Sequence, residues 1–337
     1  MTSNVKFNGD SLAWLLEKEN PEVRYLALRD LVQVPYEDEE LKSARKAAHQ
    51  QGPISLILEK MNPEGFWQKP GPGYGPKYKS TVWSLMLLAQ LGADIREDER
   101  ISTACTYFLD QALASGGQIA YNGEPSGTID CLQGNMCWAL QTLGCDDPRI
   151  PSAYEWMARS VTGDGIAPNS DRKAPIRYYA YKCASNFACG ANNKMPCAWG
   201  AAKVMMAFGA LPKQNHTPMI DKAIQAGLDF FLSTDLAKAE FPNGLNDHPS
   251  RNWWKFGFPV FYVTDLLQIV EALVSLGVSK DKRLDSVIQL IFDKQDAQGR
   301  WPLEYEYTGK TWRSYGKLNE PNKWVTLRVL RVVNSLS

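Results

Sequence analysis

A short phrase that recurs four times is the feature that most constrains this fold. In each copy one apolar residue stands four positions before a glycine and another stands directly before it: Leu88–Gly92, Leu140–Gly144, Met205–Gly209 and Leu273–Gly277. Apolar residues at this spacing continue the stripe of an amphipathic helix, and the glycine supplies the left-handed residue that ends it. The glycines lie 52, 65 and 68 residues apart. This recurrence predicts a repeated helical unit.

A second amphipathic segment follows each glycine after a short polar turn, so each unit is predicted to be a helical hairpin. These second segments span 97–112, 148–159, 217–233 and 281–294. Two further apolar helices are predicted near the chain ends, at 20–32 and 321–337, which gives six candidate inner helices. Alternating apolar runs bounded by tight turns do not recur, so strands are not expected. The chain is therefore predicted to be all-α.

The two helices of each hairpin differ in composition. The segments before the glycines are small and apolar, as in 197–209, whereas those after them carry most of the charge. This difference predicts an inner and an outer layer of helices. An open array of helical pairs follows the same pattern as a closed ring, so the repeat alone leaves both architectures open.

Two copies of a Gly-x-Trp pattern favour the closed ring. Gln295–Trp301 has the full spacing Gln-x3-Gly-x-Trp, and Met61–Trp67 repeats it with Met in place of Gln. The pattern resembles the QW motif of squalene-hopene and oxidosqualene cyclases, in which the Trp holds neighbouring hairpins together and does not touch substrate. The resemblance implies one (α/α)6 toroid domain over residues 1–337, of the terpenoid-cyclase and protein-prenyltransferase superfamily.

Charge and composition narrow the classes of partner. Thirty-seven basic residues balance thirty-seven acidic ones, which argues against binding to nucleic acid or to an anionic membrane surface. The chain begins with no secretory signal pattern, and no apolar run is long enough to span a bilayer. The seven cysteines are then expected to stay reduced. A cytoplasmic protein with a small molecule or another protein as its partner is predicted.

Some chemistry known in the superfamily has no sequence support here. The chain lacks the Asp-x-Asp-Asp acid of class II terpene cyclases and the aspartate-rich magnesium sequence of class I synthases. No nucleotide fingerprint is present. Basic residues for a diphosphate are scattered along the chain and form no cluster in the sequence.

Protein prenyltransferases hold a zinc ion at the starts of inner helices, and cysteines occupy those places here. Cys131, Cys197 and Asp265 stand thirteen, twelve and twelve positions before repeat glycines, and Cys183 and Cys189 precede Cys197 in a loop. Parallel inner helices gather their N-termini at one mouth, where the helix dipoles favour thiolate. The four cysteines are candidate ligands for zinc, although iron fits the same thiolates. Buried reduced thiols are the alternative.

An aromatic run at 247–265 supplies candidates for a cavity. Tyr262 and Asp265 are the candidate catalytic groups, with Asp265 as a fourth metal ligand or a general base. Helix packing and an N-terminal cap explain the same residues equally well. The candidate cavity residues share an apolar ring or a place near the start of an inner helix: Trp199, Trp254, Phe256, Lys323 and Trp324.

Two hypotheses about function follow, and a third, an open helical scaffold for protein partners, is weakened by the matched Gln-x3-Gly-x-Trp motif. The first is a zinc-dependent, prenyltransferase- or cyclase-like enzyme that activates a thiol or water toward a hydrophobic substrate, with a partner subunit as in the protein prenyltransferases. The second is a non-catalytic toroid with a structural zinc that binds an apolar ligand or a peptide. A shared fold does not decide between them, so the preference for an enzyme rests on the resemblance.

Overall fold

The computed structural model describes residues 6–336, and α-helices dominate it. In chain order the helices are α1 (Leu12–Leu15), α2 (Pro21–Ala27), α3 (Glu39–Gln50), α4 (Pro53–Glu59), α5 (Thr81–Gln90), α6 (Glu99–Ala112), α7 (Asp130–Leu143), α8 (Ile150–Thr162), α9 (Ala198–Ala210), α10 (Pro218–Leu232), α11 (Leu266–Ser275), α12 (Asp285–Phe292) and α13 (Lys323–Leu336). Within residues 6–336, the one sheet is a short antiparallel hairpin of β1 (Ala188–Cys189) and β2 (Met195–Pro196). The all-α prediction is confirmed.

Six helices form the inner ring: α2, α5, α7, α9, α11 and α13. Consecutive members pack against each other from α5 to α13, and α13 packs against α2. The ring closes where α2 meets the end of α5, because a Cβ at Gly92 would lie only 2.7 Å from the Leu26 side chain. The outer helices α4, α6, α8, α10 and α12 each pack on an inner neighbour. The architecture is the predicted (α/α)6 toroid, and not an open array.

Glycine ends the inner helices at three of the four predicted places. Gly92, Gly144 and Gly277 have φ between 83° and 85°, the left-handed conformation that closes a helix. Gly209 is an exception, because it lies inside α9, which continues to Ala210. A Cβ at Gly209 would lie 1.9 Å from the Ser275 hydroxyl oxygen. This glycine therefore allows α9 and α11 to approach closely.

The tryptophans of the two Gly-x-Trp copies have the same surroundings. Trp67 and Trp301 are fully buried, and each indole N–H donates to a backbone carbonyl ten residues earlier, at 2.7 and 2.6 Å. Each backbone N–H donates to a threonine hydroxyl in the first turns of the next inner helix, Thr81 at 3.2 Å and Thr326 at 2.9 Å. Each tryptophan thus ties an outer helix to the following inner helix.

An aromatic loop before α11 fills much of the ring interior. Phe256, Phe258 and Phe261 in this loop are buried. The loop reaches the end of α5, where Val260 donates its N–H to the Gln90 side chain at 2.7 Å and accepts from it at 2.9 Å. The toroid is therefore not a hollow barrel, and the space that remains inside it is small.

In the part of the chain that the structure describes, no helix is both long enough and apolar enough to cross a bilayer.

Candidate functional site

Two of the four predicted cysteines lie at the starts of inner helices, and the other two lie in the segment before α9. Cys131 is the second residue of α7, and Cys197 directly precedes α9. Cys189 lies in β1, and a hydrogen bond from the Cys197 thiol, with others from backbone N–H groups, lowers the pKa of Cys189 to about 6. Cys183 has different partners: its thiol donates to the Asp130 carboxylate, and its sulfur lies 2.9 Å from the hydroxyl oxygen of Ser160. Burial raises the pKa of Cys183 well above its ordinary value.

These thiols do not form a metal centre in the structure. Among residues 6–336, no group of three or more Cys, His, Asp or Glu side chains is placed to hold one metal ion. Cys183 bonds Ser160 and Asp130, while Cys189 and Cys197 bond each other. The zinc or iron site expected from the sequence is not supported by this arrangement.

Asp265 makes the bonds of a helix cap and a buried ion pair. Its Oδ1 accepts the N–H of Gln268 at 2.8 Å, which caps α11, and its Oδ2 accepts the N–H of Gly257 at 3.2 Å. Both oxygens also accept from Arg328, at 2.9 and 3.0 Å. Asp265 is only 4% exposed. Its contacts match the capping alternative, and its oxygens are occupied by protein donors.

Arg328 joins this aspartate to a second carboxylate. Its guanidinium donates to Glu271 at 3.0 and 2.7 Å and to the Gly257 carbonyl at 2.8 Å. Although burial disfavours the charge, Asp265 and Glu271 raise the pKa of Arg328 above its ordinary value. The charge is therefore held permanently inside the ring, where it connects α13 to α11 and to the aromatic loop.

Lys203 lies beside this network, and burial lowers its pKa to about 7. The side chain is fully buried, and its ammonium donates to the Gln268 amide oxygen. Lys203, Glu271 and Arg328 are not among the site residues predicted from the sequence. A signal was present for two of them, since Lys203 is the one charged residue of α9 and Glu271 the one charged residue of α11. A single charge on an otherwise apolar inner helix is a sign of a buried polar site.

A cavity of about 330 Å³ lies inside the ring, toward the C-terminal ends of α5, α7, α9 and α11. Its walls are mainly apolar and aromatic side chains: Trp138, Met206, Phe258, Val260, Trp324 and Leu327. Two amides add polar groups to the lining. The side chain of Asn135 makes no hydrogen bond with any described residue, and neither does the Nε2 of Gln268, whose Oε1 accepts from Lys203. These groups are free to bond a ligand.

The opening of the cavity is charged. Arg331 donates to Asp30 at 2.8 Å, and Arg29 donates to the same carboxylate at 2.5 and 3.0 Å. Burial acts to raise the pKa of Asp30, but Arg331 and Arg29 hold it at about 2. The folded ring thus gathers arginines that are scattered in the sequence. Two arginines against one aspartate leave one positive charge at the opening.

One of the predicted cavity residues lines this cavity. Trp324 is a wall residue and stacks on Phe258 with ring centroids 4.3 Å apart. Tyr262 and Trp199 lie instead at the N-terminal ends of the inner helices, with centroids 6.1 Å apart. Lys77 lies over the Tyr262 ring at 4.7 Å. Aromatic side chains occupy the end where the sequence predicted a mouth, and the cavity lies toward the other end.

The remaining predicted cavity residues do not line this cavity, and each has a packing role. Trp254 donates its indole N–H to the Ala237 carbonyl at 2.9 Å. Phe256 is fully buried in the aromatic loop. Lys323 pairs with Glu17 at 2.7 Å, on the outer side of the start of α13.

Comparisons with known proteins give a distant likeness in shape. No protein-family model matches the chain, and no curated protein matches it. Solved structures of the type II terpene cyclase MstE from Scytonema are similar over 87% of this chain. The apo enzyme is 16% identical with a TM-score of 0.31 over 97% of its own chain. A variant of that enzyme bound to its substrate geranylgeranyl dihydroxybenzoate is 16% identical to this chain, and a variant bound to its product merosterolic acid A is 13% identical. Each of these two matches has a TM-score of 0.34 and covers 96% of the enzyme's own chain. The assignment of the fold rests on the helix contacts described above.

Proposed function

We propose that the toroid binds a compact hydrophobic small molecule with one polar end in the cavity of about 330 Å³. One observation carries the proposal: apolar walls, the Asn135 amide and the Nε2 of Gln268 line the same cavity, and neither of these polar groups bonds a described residue. Small-molecule sites commonly combine a concave apolar lining with a few convergent polar groups. The apolar body of the ligand packs between Trp138 and Trp324, and its polar end bonds the amides.

The volume of the cavity limits the size of the ligand. One small group occupies roughly 30 Å³ in a condensed phase, so the cavity holds about eleven non-hydrogen atoms by that measure. A ten-carbon prenyl alcohol such as geraniol is of this size. The charged opening, with Arg29 and Arg331 against Asp30, favours an anionic substituent over a cationic one.

Binding is the part of the predicted function that the cavity supports. The metal-dependent step expected from the resemblance lacks support, because no group of three or more described Cys, His, Asp or Glu side chains is placed to hold a metal ion. A thiol-containing substrate and a partner subunit likewise gain no support from the cavity lining. The proposal is therefore the ligand-binding alternative, in a different place and without a structural zinc.

The test is a titration of geraniol followed by tryptophan fluorescence, since Trp138 and Trp324 line the site. Met206→Trp fills the cavity and should abolish the signal. Met195→Trp is the matched control, because Met195 is 40% exposed on β2, and it should bind as the unmodified protein does. Equal binding by the two variants would contradict the proposal.

A second comparison tests the hydrogen bond between the polar end of the ligand and Asn135. Removing one hydrogen bond costs about 1 kcal/mol, so Asn135→Leu should weaken geraniol binding about five- to tenfold. The hydrocarbon that lacks the hydroxyl should bind this variant at least as tightly as it binds the unmodified protein. Equal losses for alcohol and hydrocarbon would show that Asn135 only shapes the cavity.

A further inference from the structure

A second chamber, of about 530 Å³, adjoins the start of α2. It lies between 18–22, the link between α3 and α4 at 51–53, and the loop at 313–316. Trp324 lines both this chamber and the central cavity. The chamber is a separate space, and what it binds does not depend on the function proposed above.

The chamber is built around a buried carboxyl group. Glu22 is 3% exposed, and its Oε1 has no hydrogen-bond partner among residues 6–336. Gly52 makes room for it, because a Cβ at Gly52 would lie 2.3 Å from this oxygen. Gly52 also has a φ of 87°, which residues with side chains rarely adopt. The backbone at Gly52 thus leaves room for the carboxyl group at the wall of the chamber.

A second buried polar group lies close by without a partner. The hydroxyl of Tyr315 makes no hydrogen bond with the described residues, and the Tyr315 ring meets the Trp324 ring edge-on at 6.2 Å. Buried polar atoms are nearly always bonded, so two orphans in one roomy space indicate that something else bonds them. The ring of Trp324 offers an apolar surface beside them.

The charges around Glu22 favour an anion. Burial raises the pKa of Glu22 to about 7, against an opposing effect of Arg313, so the acid keeps its proton below neutral pH. In that state Lys18 and Arg313 against Glu19 leave one positive charge facing the chamber. Neither Lys18 nor Arg313 forms an ion pair with any described residue. The acid, the Tyr315 hydroxyl and the Arg313 guanidinium are then all hydrogen-bond donors.

We propose that this chamber binds a small carboxylate whose apolar body packs on Trp324 and whose oxygens accept hydrogen bonds from Tyr315, Arg313 and the protonated Glu22. Binding of this kind is linked to a proton, since an ionised Glu22 would repel the ligand. Nothing is transferred or oxidised in this step. The site takes up the ligand and keeps the proton on Glu22.

The experiment uses two probes of equal size and opposite charge, benzoate and benzylamine, measured by titration calorimetry at pH 6 and pH 8. The fraction of Glu22 that holds its proton falls about tenfold between these values, so benzoate should bind about tenfold more weakly at pH 8. Benzylamine should not bind at either pH. Binding of benzylamine in place of benzoate would overturn the proposal and identify a cation site.

Two variants test whether Glu22 causes the pH dependence of benzoate binding. Glu22→Gln imitates the protonated acid, so it should keep the pH 6 affinity for benzoate and lose the dependence on pH. Glu19→Gln, in an exposed side chain, is the matched control and should keep that dependence. Loss of benzoate binding in Glu22→Gln at pH 6, or a pH dependence that survives in it, would overturn the proposal.

One further variant tests whether benzoate binds in the central cavity instead. Met206→Trp fills that cavity and should leave benzoate binding unchanged, while geraniol binding is lost. Benzoate binding that disappears in Met206→Trp would place the ligand in the central cavity and overturn the proposal. Failure of geraniol to bind contradicts the proposed function alone, so the two proposals are tested separately.

Discussion

Replacing Arg328 with leucine tests whether the buried charge network holds the ring together. The guanidinium makes bonds to two carboxylates and one carbonyl, on α11 and the aromatic loop. The side chains of Asp265 and Glu271 are 6% and 16% exposed, so water replaces the lost partner only in part. Breaking a buried pair from one side costs about 3–5 kcal/mol. A typical domain is stable by about 5–15 kcal/mol, so the loss is large.

The measurement is urea unfolding followed by circular dichroism at pH 7. Adding Asp265→Asn to Arg328→Leu removes one unpaired charge and keeps an oxygen to cap α11. The loss in unfolding free energy of the double variant should therefore be about 2 kcal/mol smaller than the sum of the two single losses. Arg283→Leu is the control, because Arg283 is 57% exposed in its pair with Asp281, and it should cost less than about 1 kcal/mol. Additive effects, or an Arg328→Leu variant as stable as Arg283→Leu, would refute the reasoning.

Three further predictions concern stability and metal content. Burial lowers the pKa of Lys203 from 10.5 to about 7. Between these pH values the folded state binds fewer protons than the unfolded state, so the free energy of unfolding should rise with pH. A Lys203→Met variant that shows the same rise would disprove this. Trp67→Phe and Trp301→Phe each leave a buried carbonyl without its donor and should each cost about 1–3 kcal/mol in urea unfolding, whereas a cost in only one would show that the two copies are not equivalent. Elemental analysis of protein produced with zinc should find no stoichiometric zinc; one zinc per chain that is lost in both Cys131→Ser and Cys197→Ser would restore the predicted metal site.

The ring could be predicted because its signals are local. Gly92, Gly144 and Gly277 end helices in a way that depends on a few neighbouring residues, and their recurrence specifies the hairpins. Gly209 carries the same sequence pattern but serves the contact with Ser275 on another helix. Whether a glycine ends a helix or permits close packing is decided by a neighbour 66 residues away, which one sequence does not reveal.

The site was harder to predict because its partners are distant in the chain. Cys131 and Cys197 lie at helix starts as predicted, but Cys183, in the loop, bonds Ser160 and Asp130. Asp265 has the position of a cap or of a ligand, and only its contact with Arg328, 63 residues later, distinguishes the two. The central cavity depends on how the aromatic loop crosses the ring to Gln90, and no sequence pattern specifies that path.

The most direct test of the central claim is a crystal structure of the protein grown with geraniol. We expect density for the ligand inside the ring, between Trp138 and Trp324, with its hydroxyl within hydrogen-bonding distance of the Asn135 or Gln268 amide. An empty central cavity at saturating geraniol, or geraniol bound only among the aromatic side chains around Tyr262, would contradict it.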